Sequence, residues 1–142
     1  MHKTILNLNE IKKEIYSKNL ENEFSGQIIA VTKTFLSEAI ISAFKEGILN
    51  IGENKIQESE YKFSQLPNLP KLKKRLIGHL QSNKVNKAIN LFDTIDTIDS
   101  KKIAQRLDLS LRKKNKTKEV LLQVNASKDS AKHGFDLIDQ EQ

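Results

Sequence analysis

Five short runs rich in apolar residues, each followed by a turn and most then by a segment with helical spacing, limit what this chain can fold into more than any other feature. Ile28-Ile29-Ala30-Val31, Ile48-Leu49-Asn50-Ile51, Leu76-Ile77, Thr94 to Ile98 and Val120-Leu121-Leu122-Gln123-Val124 read as strands. The first is short, continuous and β-branched, as expected of a strand buried on both faces of a parallel sheet. Ahead of it, Leu8, Ile11 and Ile15 predict an amphipathic helix from about Leu8 to Leu20, with Asn7 or Asn9 as its N-cap. Ser37 is expected to cap a helix carrying Ile40, Ile41 and Phe44, and Gly47 to end it. Gly52-Glu53-Asn54 reads as a turn, with Asn54 and Gln57 opening a helix that ends near Pro67. Ser82 is expected to cap a helix with Val85, Ala88 and Ile89, and Asp99-Ser100 to open one with Ile103, Ala104, Leu107 and Leu111 on a single stripe.

Strands alternating with helices in this way imply an α/β fold with parallel pairing through right-handed crossovers. A doubly wound open sheet and a (β/α)8 barrel both satisfy the pattern. A complete barrel needs eight strands and about 250 residues, whereas 142 residues carry five strand candidates here. One domain is expected. The chain has no cysteine, which excludes disulfides and thiolate chemistry, and no apolar run approaches the ~20 residues of a membrane span. A cytoplasmic protein without membrane contact is the expectation.

The net charge of +6 keeps a polyanion open as partner. The dense runs Lys71-Leu72-Lys73-Lys74-Arg75 and Arg112 to Lys118 nevertheless fall where solvated loops are predicted, and the other lysines are mixed with acidic residues. Neither a glycine-rich phosphate loop nor a Gly-x-Ser-x-Gly elbow is present. His2, His79 and His133 lack paired metal-ligand spacing, so no metal site is expected. Asp99 beside Ser100 reads as a helix cap, and Asp93 and Asp96 precede it on the fourth strand. In either α/β architecture ligands sit beyond the C-terminal ends of the strands. That places weight on Lys33, on Gly52 to Asn54, on Gly78 to Asn83, on Asp96 to Ser100 and on Gln123 to Asn125. A lysine shielded at such a place can react with an aldehyde as the neutral amine. In a lysine-rich chain, residues alone leave Lys33 open to an ordinary solvated role.

The ordered set Ala30-Val31-Thr32-Lys33-Thr34, Gly52 to Glu58, Ile77-Gly78-His79-Leu80-Gln81-Ser82-Asn83-Lys84, Asp99-Ser100, and Leu122 to Asn125 with Lys132-His133-Gly134-Phe135 resembles the pyridoxal-phosphate homeostasis family. The resemblance implies a (β/α)8 barrel of the alanine racemase N-terminal kind, with residues 1–142 forming a partial domain of about the first five strands and the C-terminal strands missing. It implies pyridoxal 5'-phosphate as cofactor, held as a Schiff base on Lys33, with Asn54 beside it. His79, Gln81, Asn83 and Lys84 are expected at the barrel mouth, and Lys132 as a second amine near the rim. No residue is expected to be catalytic, because the family stores, buffers or delivers its cofactor to apoenzymes. The family holds the phosphate in loops after its last strands, so a chain of five strands is expected to lack that cradle and to associate through open sheet edges. A racemase-like enzyme, an anion or nucleic-acid binder using the lysine runs, and a fragment without function are the other readings.

Overall fold

A computed structural model of the chain describes residues 2–22, 26–127 and 131–136. Five strands, β1 (Ile29–Val31), β2 (Asn50–Glu53), β3 (Lys73–Leu76), β4 (Thr94–Ile98) and β5 (Glu119–Leu122), form one sheet in the order of the sequence, every neighbouring pair parallel. The helices are α1 (His2–Asn22), α2 (Ser37–Lys45), α3 (Ile56–Ser64), α4 (Val85–Leu91) and α5 (Lys101–Lys113). Doubly wound sheets reverse their strand order at a switch point. Strict sequential order has no reversal and is the arrangement of consecutive β/α units in a (β/α)8 barrel.

The registers place Glu53, Leu76, Ile95 and Val120 in one cross-strand row. Ile51, Leu76 and Ile95 are fully buried and share the core with Ile40 of α2, Phe63 of α3, and Val85, Ala88 and Ile89 of α4. Phe63 and Phe92 meet edge to face with ring centres 5.6 Å apart, a favourable arrangement of aromatic quadrupoles. Asn50, Arg75, Thr94 and Asp96 gather in a polar network instead. Arg75 grips Asp96 with two parallel bonds, Nε to Oδ2 at 2.7 Å and Nη2 to Oδ1 at 3.1 Å, while Thr94 Oγ1 donates to Asp96 Oδ1 at 3.0 Å. Both side chains of the ion pair are only 9% exposed, so each charge depends on the other for solvation.

This polar network accounts for the early start of β3. β3 begins at Lys73, ahead of the apolar pair Leu76-Ile77, and β2 extends through Gly52 and Glu53 rather than turning there. The first basic run is therefore largely strand, not solvated loop: Arg75 is buried against Asp96, and Lys74 Nζ lies 5.1 Å from the centre of the Phe63 ring. In the second run, Arg112 and Lys113 close α5, and Arg112 pairs with Asp108. Lys118 Nζ donates to the carbonyls of Ile89 and Phe92 at the end of α4. β1 is not buried on both faces, for Ile29 and Val31 are 37% and 49% exposed at an edge of the sheet.

Helix ends divide similarly. Ser100 caps α5 as expected, its Oγ accepting from the Ile103 amide, and Gly47, at φ +78°, follows α2 with its amide on the Phe44 carbonyl. Asn7 and Asn9 lie inside α1 rather than before it, and Leu36 and Lys55, not Ser37 and Asn54, are the N-caps of α2 and α3. Ser82 begins a 3-10 turn through Lys84, and α4 starts only at Val85.

Candidate functional site

Lys33 stands immediately beyond β1, exposed, in a tight turn closed by the Phe35 amide donating to the Thr32 carbonyl at 3.2 Å. Thr34 completes that turn at φ +68°, a left-handed conformation that costs a residue with a Cβ about 1–2 kcal/mol. The strain is supported from below. Thr32 is buried: its amide donates to the Gly52 carbonyl, its hydroxyl donates to Glu53 Oε1 at 2.6 Å, and its carbonyl also accepts from Lys62 Nζ at 2.9 Å. Lys62 in turn pairs with Glu53 Oε1 at 2.6 Å, with side-chain exposures of 8% and 1%. Glu53 Oε2 is buried and has no hydrogen-bond partner among the described residues. A charged pedestal thus fixes the backbone from which Lys33 projects.

Sequence reading missed this pedestal. In sequence Glu53 reads as part of a turn, and Lys62 is one of 24 basic residues, with nothing in its helix to distinguish it from a solvated lysine.

Beyond β2 and β3, Asn54, His79, Gln81 and Lys84 line one cavity of about 190 Å³, along with Lys55 and Gln57. Four of the seven expected site residues are therefore brought together. Asn83 is exposed in the 3-10 turn outside this cavity, and Lys33 stands outside it as well. The wall is set by Gly78, since a Cβ there would lie 2.3 Å from the Asn54 carbonyl oxygen. Only glycine lets the two strand exits approach so closely. Lys55 at the cavity rim is held as an ammonium by Glu58, whose carboxylate accepts a hydrogen bond at 2.7 Å and whose charge raises the lysine pKa.

On the other side of His79, a second cavity of about 480 Å³ has His79, Gln81, Asp99, Ser100, Lys132 and His133 in its walls. Here the structure brings together two histidines that have no paired spacing in the sequence. His79 and His133 stack with ring centres 4.1 Å apart and planes 15° from parallel, and His79 Nδ1 is 2.7 Å from Asp99 Oδ2. Asp99 is thus engaged by His79, while the capping of α5 falls to Ser100. The loop bearing His133 is tied back to the end of β5: Asn125 N donates to Phe135 O, Phe135 N to Gln123 O, and Gln123 Nε2 to His133 O. No spacing rule links residues 79, 99 and 133; strand order does.

No family model matches the chain. It is 36% identical over 116 residues to the pyridoxal phosphate homeostasis protein of Mus musculus, covering 77% of this chain and 42% of that protein. Among solved structures, PipY of Synechococcus elongatus without pyridoxal phosphate superposes with a TM-score of 0.74 at 37% identity, covering 84% of this chain and 56% of that one. PipY with pyridoxal phosphate bound gives a TM-score of 0.72 at 34% identity, covering 87% and 57%. The chain spans about half the length of the curated relatives it matches. Among the described residues, no helix is long and apolar enough to cross a membrane.

Proposed function

From the premise that this chain belongs to the pyridoxal phosphate homeostasis family, we propose that it binds pyridoxal 5'-phosphate through Lys33 and takes part in storing, buffering or delivering that cofactor, without a turnover reaction of its own. The observation that carries this reading is the pedestal: Thr32, Glu53 and Lys62 spend three buried polar groups on holding a single turn, and that turn presents Lys33 beyond a strand C-terminus. Buried charge is costly to maintain, and strained backbone clusters where function demands a fixed geometry.

The residues present fit the amine end of such a site. When bound, pyridoxal phosphate supplies an aldehyde that reacts reversibly with a primary amine. Lys33 provides the amine, on backbone that Thr32 and Lys62 prevent from drifting. Asn54 offers an amide in the neighbouring cavity, where His79, Gln81 and Lys84 add further donors and a positive charge. Asn83 is left a peripheral role at most. Lys55, kept charged by Glu58, is a poorer nucleophile than an unpaired amine.

The test is a titration of the purified chain with pyridoxal phosphate, followed by borohydride reduction and peptide mapping, with Lys33→Ala beside it. A single adduct on Lys33, lost in the variant, is the expected result. Labelling spread over many lysines, or none at millimolar cofactor, refutes it.

The proposal extends to a cytoplasmic setting, with apoenzymes as recipients, and to residues 1–142 acting as one partial barrel domain. Association through the sheet edges is supported by the exposure of Ile29 and Val31 on β1 and of Leu121 and Leu122 on β5. Light scattering after size exclusion reads it: a single species at monomer mass across concentrations rejects edge pairing.

A further inference from the structure

We propose that His79, Asp99 and His133 form a binding site for a divalent transition-metal ion of the zinc type, which does not use the amine at Lys33 and shares only His79 with the proposed cofactor cavity. One ligand atom from each of the three lies within 4.8 Å of those from the other two. A tetrahedral ion with bonds of about 2.0–2.1 Å separates its ligands by roughly 3.4 Å. His79 Nδ1 and Asp99 Oδ2 are already closer than that, at 2.7 Å, as donor atoms sharing a proton would be. The ion takes the place of that proton, and His133 closes the set by rotating its exposed ring out of the stack.

The site is built rather than incidental. Two of its residues come from the exits of β3 and β4 and the third from the loop after β5 that Gln123 and Asn125 tie back to that strand's end, at the end of the sheet where α/β folds bind ligands. Each is fixed by its own hydrogen bonds. Thr97 Oγ1 donates to the Gly78 carbonyl at 2.6 Å and so holds the backbone before His79. Asp99 is buried, and its Oδ1 accepts from Ser100 Oγ at 3.2 Å, leaving Oδ2 for His79. The main chain at His133 is held by Gln123, and the next residue, Gly134 at φ +137°, packs so closely that a Cβ would lie 2.7 Å from Asn125 N. A loop tied this firmly serves to aim the side chain it carries.

The donor set selects the ion. Two imidazoles and one carboxylate suit zinc and its first-row neighbours and offer too few oxygens for calcium or magnesium. Three protein ligands beside an open cavity of about 480 Å³ leave a fourth position for water or a ligand oxygen.

The experiment uses the full chain, stripped with a chelator and titrated calorimetrically with Zn²⁺ and, for its ligand-field spectrum, with Co²⁺. One equivalent is expected to bind with a dissociation constant in the micromolar range or below, and Co²⁺ to give a tetrahedral spectrum. His133→Ala and Asp99→Asn are each expected to weaken binding by about tenfold or more. His133 is exposed, so its replacement keeps the fold even if that of the buried Asp99 does not. Because His2 near the amino terminus can also capture metal, His2→Ala is included and is expected to bind as the unaltered chain does. Binding only at millimolar metal, unchanged affinity in His133→Ala, or loss of the stoichiometric site in His2→Ala overturns the proposal. Lys33→Ala retains the metal site whether or not the cofactor proposal stands.

Discussion

Replacing Lys62 by methionine keeps most of the side-chain volume but removes the ammonium 2.6 Å from Glu53 Oε1 and 2.9 Å from the Thr32 carbonyl. Glu53 is fully buried, and its other oxygen already has no partner among the described residues, so the carboxylate is left charged in a low-dielectric site with only the Thr32 hydroxyl to solvate it. Stranding one member of a buried ion pair costs about 3–5 kcal/mol. For a chain of this size each kcal/mol lowers the melting temperature by about 3 °C, so Lys62→Met is expected to melt roughly 10–15 °C below the unaltered protein. The Thr32 carbonyl keeps the Phe35 amide and the turn keeps its closing bond, which confines most of the loss to electrostatics. Removing both charges in Lys62→Met/Glu53→Met abolishes the stranded carboxylate. The double variant is then expected to be more stable than Lys62→Met, within about 2 kcal/mol of the starting protein. Thermal and urea unfolding, both followed by circular dichroism, measure these changes. A loss under about 1 kcal/mol for Lys62→Met, or a double variant as unstable as the two single losses added together, would refute the assignment of the pedestal as a buried charge pair.

Gly78→Ala sets a Cβ 2.3 Å from the Asn54 carbonyl oxygen and 2.7 Å from its Cα, so it is expected to cost about 3 kcal/mol or more and to displace Asn54, seen as weaker cofactor binding in the soluble fraction. Lys118 and Lys55 are expected to titrate on opposite sides of the ordinary lysine value of 10.5, read by carbon NMR at Cε. Burial lowers Lys118, and the Glu58 hydrogen bond raises Lys55. Since the folded chain then binds the Lys118 proton less tightly than the unfolded chain does, the contribution of Lys118 to stability rises with pH as it climbs from the folded pKa towards 10.5. A Lys118 that titrates above 10.5 would contradict the burial argument.

The parts of this fold that could be read from the sequence are those in which one side chain's character matches its surroundings. Ile28 to Val31 announces a strand, the stripe from Ile103 to Leu111 a helix, and Lys33 is visible as the residue just after a strand. The boundary moved where β3 carries charge: Arg75 is an inner residue of the sheet because Asp96 supplies its counter-charge, a pairing across 21 positions that no local pattern encodes, whereas β4 has the limits its sequence predicts. The same holds at the site. Asn54, His79, Gln81 and Lys84 were singled out through the family resemblance and proved to share a cavity, whereas Lys62 and His133 owe their importance to contacts with Glu53 and His79 made only after the sheet assembles.

The sequential strand order also governs how the chain comes together in time. Each strand pairs with its neighbour in sequence, across separations between 19 residues, from Arg75 to Thr94, and 25 residues, from Thr94 to Glu119. Loop closure grows only slowly more costly with length, and topologies dominated by short separations fold fast for their class. During synthesis, each new strand finds its partner already exposed as the last edge laid down. Assembly can then proceed as the polypeptide emerges, one β/α unit at a time, with the Lys33 turn and its Glu53–Lys62 support complete before β3 has been made.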